Sequence, residues 1–391
     1  MAFLISNGTS VPHATNNEDF LLRLIRFLCG VGYPTFSGTG GVRLRYVRAA
    51  ASAVAETWTI TCTNAGTGTF SVVGSVSGAE ANATVGTAYD NGKIAFTLAN
   101  ISGAAVLSDV ITVGTFAGPL IASGQCWDLI RQSVPAADEI ETALRGRGIG
   151  GADQIFVNIR AYKSVASDYY NLQMRGAIGY LEANNYSTQP GASPLAEVCL
   201  QSGAMPYWLI ANGRRFMFVV KVATVYESAY CGFILPTGTT GEYPYPLAIG
   251  GSHSVTGRRY SDNLAAGSSG SAHRAFFNPN GALKLITKQG SWLSFANYSY
   301  ASSENKITSG NNVTPFSDLA INRTIDNGYV LYPLTLSGTE PAIYGDLQGV
   351  FMISGFANAS ENIAQNGGVD HLVVQNVFRT DVSEFAAFRL E

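Results

Sequence analysis

Between Thr57 and Thr63 the chain alternates without a break between a threonine and an apolar side chain. Trp58, Ile60 and Cys62 therefore fall on one side of an extended backbone. Successive side chains of a strand point to opposite faces, so a period of two suits a half-buried strand and not a helix. The same kind of run recurs nearby. Thr69–Gly74 follows the turn Ala65-Gly66-Thr67-Gly68, Lys93–Leu98 is entered through Asp90-Asn91-Gly92, and Val110–Val113 closes the group. Asn-Gly between alternating runs is a strong hairpin signal. Short strands at this spacing predict a small sandwich over 54–118, immunoglobulin-like in size.

From Asp153 to Glu391 the pattern is again β. Strands are predicted at 154–162, 168–175, 207–212, 215–223, 228–235, 282–286, 291–294, 328–334, 349–355 and 371–379. Asn212-Gly213, between Leu209-Ile210 and Phe216-Met217-Phe218, predicts a hairpin. Many short strands with Gly, Asn and Pro at their turns indicate a jelly-roll-like β-sandwich or a barrel over 153–391. Segment 236–280 carries Tyr-Pro-Tyr-Pro, Gly-Gly-Ser and Gly-Ser-Ser-Gly and reads as a long loop. The charged, Gly-ended stretch within 119–152 reads as an exposed connector. The expected fold is mainly β, with a small Ig-like sandwich, a larger jelly-roll-like sandwich, and one short N-terminal helix.

That helix is predicted over 16–29. Asn16 or Asn17 can cap it, and Glu18 and Asp19 sit in the first turn, where the helix dipole favours acids. Phe20, Leu21, Leu24 and Leu28 share a face, and Gly30 and Gly32 end it. Two readings of the segment 1–53 are open. The apolar stripe plugs one end of the chain's own core, or it docks on a partner subunit.

Charged residues make up 13% of the 391-residue chain, against roughly 25% in an ordinary soluble domain. A surface so poor in charge is weakly protected against association. The net charge of −3 gives no reason to expect nucleic acid or an anionic membrane as partner. The sequence has no apolar run of the length a membrane helix needs. Met1–Val11 lacks the charged and apolar regions of a secretory leader, and none is expected.

Chemistry motifs are scarce. The 5 cysteines (Cys29, Cys62, Cys126, Cys199 and Cys231) form no close pair and read as buried thiols. The 4 histidines (His13, His253, His273 and His371) lack the short spacings of a metal motif. No metal, cofactor or catalytic residue is expected on these grounds. The Gly-rich stretch Gly146–Gly151 does not have the spacing of a phosphate-binding loop. GxSxG does not occur. Asp168, Glu182, Glu227, Glu242 and Asp262 could supply the paired carboxylates of a glycosidase, but they read more simply as solvated or salt-bridged groups.

Tyr226, Tyr230, Tyr243, Tyr245 and Tyr260 crowd one region with Arg258 and Arg259. Three readings are open: packing on the chain's own sheet, a subunit interface, or glycan binding. The candidate interface residues are Phe20, Leu24 and Leu28 on the helix and Tyr243, Tyr245 and Tyr260 in the loop.

Several motifs carry a resemblance. They are Asp168-Tyr169-Tyr170-Asn171 with Arg175-Gly176-Ala177 and Gly179-Tyr180, Gln189-Pro190-Gly191, and Pro206-Tyr207-Trp208-Leu209-Ile210-Ala211-Asn212-Gly213. Gly232–Pro236, Glu242–Leu247, Asn376–Arg379 and Ala387–Leu390 follow. With these the chain resembles tailed-bacteriophage virion structural proteins. Gly74–Gly78 and Tyr89–Gly92 make 54–116 look like an add-on β module of such proteins. The resemblance implies a non-enzymatic subunit of the tail or baseplate, made in the host cytoplasm and placed in the virion. It implies other virion proteins as partners and a homotrimer or higher ring. A receptor-binding or glycan-degrading appendage and a capsid decoration protein are the alternatives.

Overall fold

The computed structural model describes residues 2–116, 121, 124–262, 273–278, 282–294, 306–309, 328–337, 343–378, 382 and 384–390. The start of the predicted connector, 119–123, lies largely outside the described residues. So do the Gly-Ser-Ser-Gly stretch and Arg379.

The helix forms where the capping residues place it, at Asn17–Cys29. The Asn16 side chain accepts the Asp19 backbone N–H at 2.8 Å, and Gly30 closes the other end in the left-handed conformation at φ 67°. Phe20, Leu21, Leu24, Ile25, Phe27 and Leu28 are all buried. The Phe20 ring meets Tyr207 and Phe218 edge-on, with centroids 5.7 and 5.0 Å apart. The helix therefore plugs the chain's own core. The docking reading is corrected here, because the whole stripe of Phe20, Leu24 and Leu28 is already covered within the chain.

The rest is mainly β and sandwich-like, built from antiparallel sheets. An eight-stranded sheet runs, in spatial order, Ala196–Leu200, Tyr169–Ala177, Ile155–Ser164, Glu139–Gly146, Asp128–Ala136, Val42–Ala49, Ile94–Asn100 and Ala88–Asp90. A seven-stranded sheet runs Ala2–Ile5, Tyr207–Ala211, Arg215–Val222, Val225–Phe233, Leu247–Gly251, Ala282–Ile286 and Trp292–Ser294. A third sheet holds Thr35–Ser37, Val110–Thr115, Glu56–Asn64, Thr69–Gly74 and Gly78–Ala79 in that order, with Ala83–Thr84 also on Thr69–Gly74. A fourth is built around Ile343–Ile353, Phe385–Arg389 and Val369–Gln375, and the short strand Leu235–Pro236 also joins Ile343–Ile353.

The predicted hairpin is present. Tyr207–Ala211 pairs with Arg215–Val222, and the Asn212 side chain accepts the backbone N–H groups of Arg214 and Arg215 at 2.8 and 3.0 Å. The predicted connector is not exposed loop. Asp128–Ala136 and Glu139–Gly146 are paired strands inside the eight-stranded sheet. Their charges face each other across the ladder: Asp128 is in register with Arg145 and forms an ion pair with it at 2.5 Å. Buried charge is tolerated when paired, so the charged composition conceals a strand.

The small sandwich is not bounded at 54 either. Its strand Ile94–Asn100 pairs with Val42–Ala49, and Val110–Thr115 pairs with Thr35–Ser37. Trp58, Ile60 and Cys62 point inward as the alternation requires. They belong to one continuous apolar core with the helix and the seven-stranded sheet.

One buried acid holds the turn that feeds this unit. Asp109 accepts the backbone N–H groups of Thr39, Gly40 and Val106 at 3.0, 3.2 and 3.0 Å. A Cβ at Gly40 would lie 2.0 Å from the Asp109 carboxylate, so only glycine allows this approach. Burial pushes the Asp109 carboxyl upward, but the N–H groups of Gly40, Val106 and Thr39 outweigh it and hold its pKa below the ordinary value. Asp109→Ala is expected to cost roughly 2–4 kcal/mol at neutral pH, because it strands buried donors. A carboxyl lowered on folding stabilises above its unfolded pKa of about 4, and that stabilisation fades as pH falls through the folded value. Urea denaturation of wild type and variant should therefore differ most at neutral pH and converge in acid. A constant difference across that range would contradict the assignment.

Candidate functional site

The side chains most capable of chemistry gather where the edge of the eight-stranded sheet meets the seven-stranded sheet. Gln173 is in register with Glu197, and Asn171 with Cys199. Partners in antiparallel register point to the same face, so these four form a polar stripe, joined by Tyr162 opposite Asn171. The sequence alternation marks such a face as solvent-exposed. Here residues 252–258 cross it. Gly257 donates its N–H to the Tyr162 hydroxyl at 2.7 Å, and the Asn171 amide donates to the Arg258 carbonyl at 2.9 Å.

Glu197 sits at the centre of the stripe. Its carboxylate accepts from the Tyr162 hydroxyl at 2.7 Å, the Asn171 amide at 2.8 Å and the Gln173 amide at 3.0 Å. Burial pushes its pKa up to about 7, against the pull of those three donors. Its backbone bridges to His253: the Glu197 N–H donates to the His253 carbonyl at 2.7 Å, and the His253 N–H returns to the Glu197 carbonyl at 2.9 Å. Gly251 permits this, since a Cβ there would lie 2.6 Å from the Glu197 carbonyl oxygen.

Behind the stripe lies a second buried carboxylate, Glu227, on Val225–Phe233. One oxygen accepts from the Ser252 hydroxyl, and the other lies 2.6 Å from His273 Nε2. The other His273 nitrogen, Nδ1, lies 3.3 Å from the Asp262 carbonyl. Burial opposes charge on His273, but Glu227 outweighs it and raises the imidazole pKa above its ordinary value. His253 lies alongside, its ring centroid 5.3 Å from that of His273. Burial and the His273 ring push its pKa down to about 4. Glu197, Cys199, Glu227, Ser252 and His253 are 0% exposed, and His273 is 1% exposed.

This arrangement has the residue types of a hydrolytic triad but not its order. In a nucleophilic triad the imidazole stands between the hydroxyl and the acid. Here the carboxylate stands between Ser252 and His273. The donor set instead suits cation binding: a Cys199 sulfur, a Glu227 oxygen and a His273 nitrogen lie within 4.8 Å of one another.

The loop tyrosines point inward. Tyr243 is 1% exposed and donates to the Ile286 carbonyl. The Tyr245 hydroxyl accepts the Phe156 N–H at 3.1 Å and faces the Ala177 and Gln154 carbonyls at 2.7 and 2.9 Å. Tyr260 is half-buried against the core. The interface assignment of Tyr243 and Tyr245 is therefore corrected: their rings and hydroxyls are spent on their own sheets.

Four of the five carboxylates have other partners or stand in turns. Glu182 binds Arg45 at 2.8 and 2.6 Å, Asp262 forms an ion pair with Arg259 at 3.4 Å, and Glu242 accepts the Thr239 N–H at 2.7 Å. Asp168 occupies a turn with φ 51°. His13 and His371 lie apart, on Ser6 and the Val369 carbonyl. Two surface hollows, of about 320 and 250 Å³, are lined by arginine-bearing segments, one with Arg48 and Arg147 and the other with Arg43, Arg45 and Arg131. Neither reaches the buried cluster. Compared with known proteins, the chain matches no family model and no curated sequence.

Proposed function

We propose that this chain is a non-enzymatic structural subunit of a tailed-phage virion, placed in the tail or baseplate and acting through protein–protein contacts. The observation that carries the reading is where the motifs of the resemblance fall. They build the frame rather than line an opening. Tyr169–Ala177 is a strand of the eight-stranded sheet, and Pro206–Gly213 forms the strand and turn of the Asn212-Gly213 hairpin. Tyr243 and Tyr245 fasten neighbouring strands. Asn376, 0% exposed, accepts the Ala275 N–H at 2.7 Å and donates to Glu384 at 2.7 Å.

The charge-poor composition supports assembly, since interface cores are depleted in charge. Homo-oligomerisation as a trimer or larger ring belongs to the same proposal. A glycan-binding appendage finds less support, because Tyr243 and Tyr245 offer no open aromatic platform. Mass spectrometry of purified virions is expected to detect the chain, and a virion map should place it in a ring of the tail or baseplate. Absence from particles, at a depth that detects minor tail proteins, would refute the reading. A position on the capsid surface would transfer it to a decoration protein.

A further inference from the structure

The Cys199–Glu227–His273 cluster is arranged around a shared positive centre. The Asp262 carbonyl can only accept a hydrogen bond, so the proton on His273 Nδ1 points to it at 3.3 Å. That leaves the Nε2 lone pair facing a Glu227 carboxylate oxygen at 2.6 Å. Two lone pairs at that distance repel unless a positive centre lies between them. A proton serves in the structure as it stands. Cys199 adds a sulfur donor within the same 4.8 Å.

A second, independent feature points to the same place. His253 is 0% exposed, and neither of its ring nitrogens has a hydrogen-bond partner among the described residues. A buried imidazole without a partner costs free energy comparable to a lost hydrogen bond. Its ring lies 5.3 Å from that of His273, at the edge of the cluster. The four groups come from four places in the fold: the edge strand of the eight-stranded sheet, a central strand of the seven-stranded sheet, the residues just after Leu247–Gly251, and segment 273–278.

We propose that Cys199, Glu227 and His273 bind a divalent transition-metal ion of the zinc class, with the adjacent His253, whose ring stands outside that 4.8 Å group, turning in as the fourth ligand. One sulfur, one carboxylate oxygen and two imidazole nitrogens form a donor set suited to tetrahedral zinc, and a site closed to solvent is the structural rather than the catalytic kind. The charge balances. Without metal, the neutral thiol and the Glu227–His273 pair sum to zero. Binding displaces the thiol proton and the proton shared by Glu227 and His273, and the dication with thiolate and carboxylate again sums to zero. The buried pocket thus takes the ion without gaining net charge. The His273 Nδ1 contact with the Asp262 carbonyl becomes the outer hydrogen bond that fixes a ligating imidazole. The ion would tie the eight-stranded sheet to the seven-stranded sheet.

The test uses the full chain. Protein is produced in medium supplemented with zinc sulfate, passed through metal-free buffer, and its metal content measured by elemental mass spectrometry. About one zinc per chain is expected. Cys199→Ser and His273→Ala should each lower that content at least tenfold, whereas His13→Ala and His371→Ala should leave it unchanged. Production with cobalt chloride gives a readout that needs no variant. Thiolate ligation produces a sulfur-to-cobalt charge-transfer band in the near ultraviolet, with the intense visible absorption of tetrahedral cobalt. Wild-type protein with less than a tenth of an equivalent of metal overturns the proposal. So does a cobalt protein without the thiolate band, or zinc retained in full by Cys199→Ser. The outcome is independent of where the chain resides in a particle.

Discussion

Replacing Tyr243 and Tyr245 together by Ser is expected to destabilise the isolated subunit severely, before any question of assembly arises. Truncating a fully buried aromatic ring costs about 3–5 kcal/mol, and Tyr243 meets that description at 1% exposed. Its loss also strands the Ile286 carbonyl. Tyr245 adds a different loss. Its hydroxyl joins the Phe156 N–H and the Ala177 carbonyl, and its ring meets Phe233 edge-on with centroids 5.0 Å apart. It therefore bolts the two large sheets together. Chemical denaturation of the purified double variant should show a strongly lowered midpoint or no cooperative transition. An unchanged midpoint with failed assembly would return these rings to the role of interface anchors.

Deleting residues 54–116 is expected to abolish cooperative folding of what remains. The alternation of strands makes this stretch look like a separable module, but its pairings cross the cut. Val42–Ala49 loses the partner Ile94–Asn100, and Thr35–Ser37 loses Val110–Thr115. Val31 loses its bridge to Thr115, and Arg26 loses the Phe116 ring 4.5 Å from its guanidinium. Arg48 loses Asp90 while keeping Asp128 at 3.1 Å. A strand stripped of a neighbour exposes unpaired backbone and invites aggregation. A soluble deletion product that unfolds in one sharp transition would restore the independent module.

How much of this was legible in the residues depends on which interaction set the pattern. The helix could be read because its signals are local: Asn16, Glu18, Asp19 and Gly30 act within a turn of where they stand. The strand Glu56–Asn64 could be read because one face is apolar throughout. Val42–Ala49 was hidden by its own irregularity. Tyr46 adopts φ 55°, the register shifts between Arg45 and Arg48, and the alternation changes phase halfway along. Glu139–Gly146 was hidden by charges whose partners stand on the strands to either side of it. The buried cluster left no motif because Cys199, Glu227, His253 and His273 come from four separate segments. Only sheet packing brings them together. The one local trace was polar residues spaced by two, Asn171 with Gln173 and Glu197 with Cys199, and that trace is equally the mark of an exposed face.

The pairing of Ala2–Ile5 with Tyr207–Ala211 sets a clock on biosynthesis. The first strand, and the Phe20 ring on the helix behind it, meet these partners only when residues 207–218 have left the ribosome. At about 5–20 residues per second that is a delay of roughly 10–40 s. Throughout it the Phe20 ring lacks Tyr207 and Phe218 as cover, and a nascent chain in this state is a natural client for chaperones. The end of the helix that carries Phe20 is thus exposed for a time, and what covers it last is the later part of its own chain.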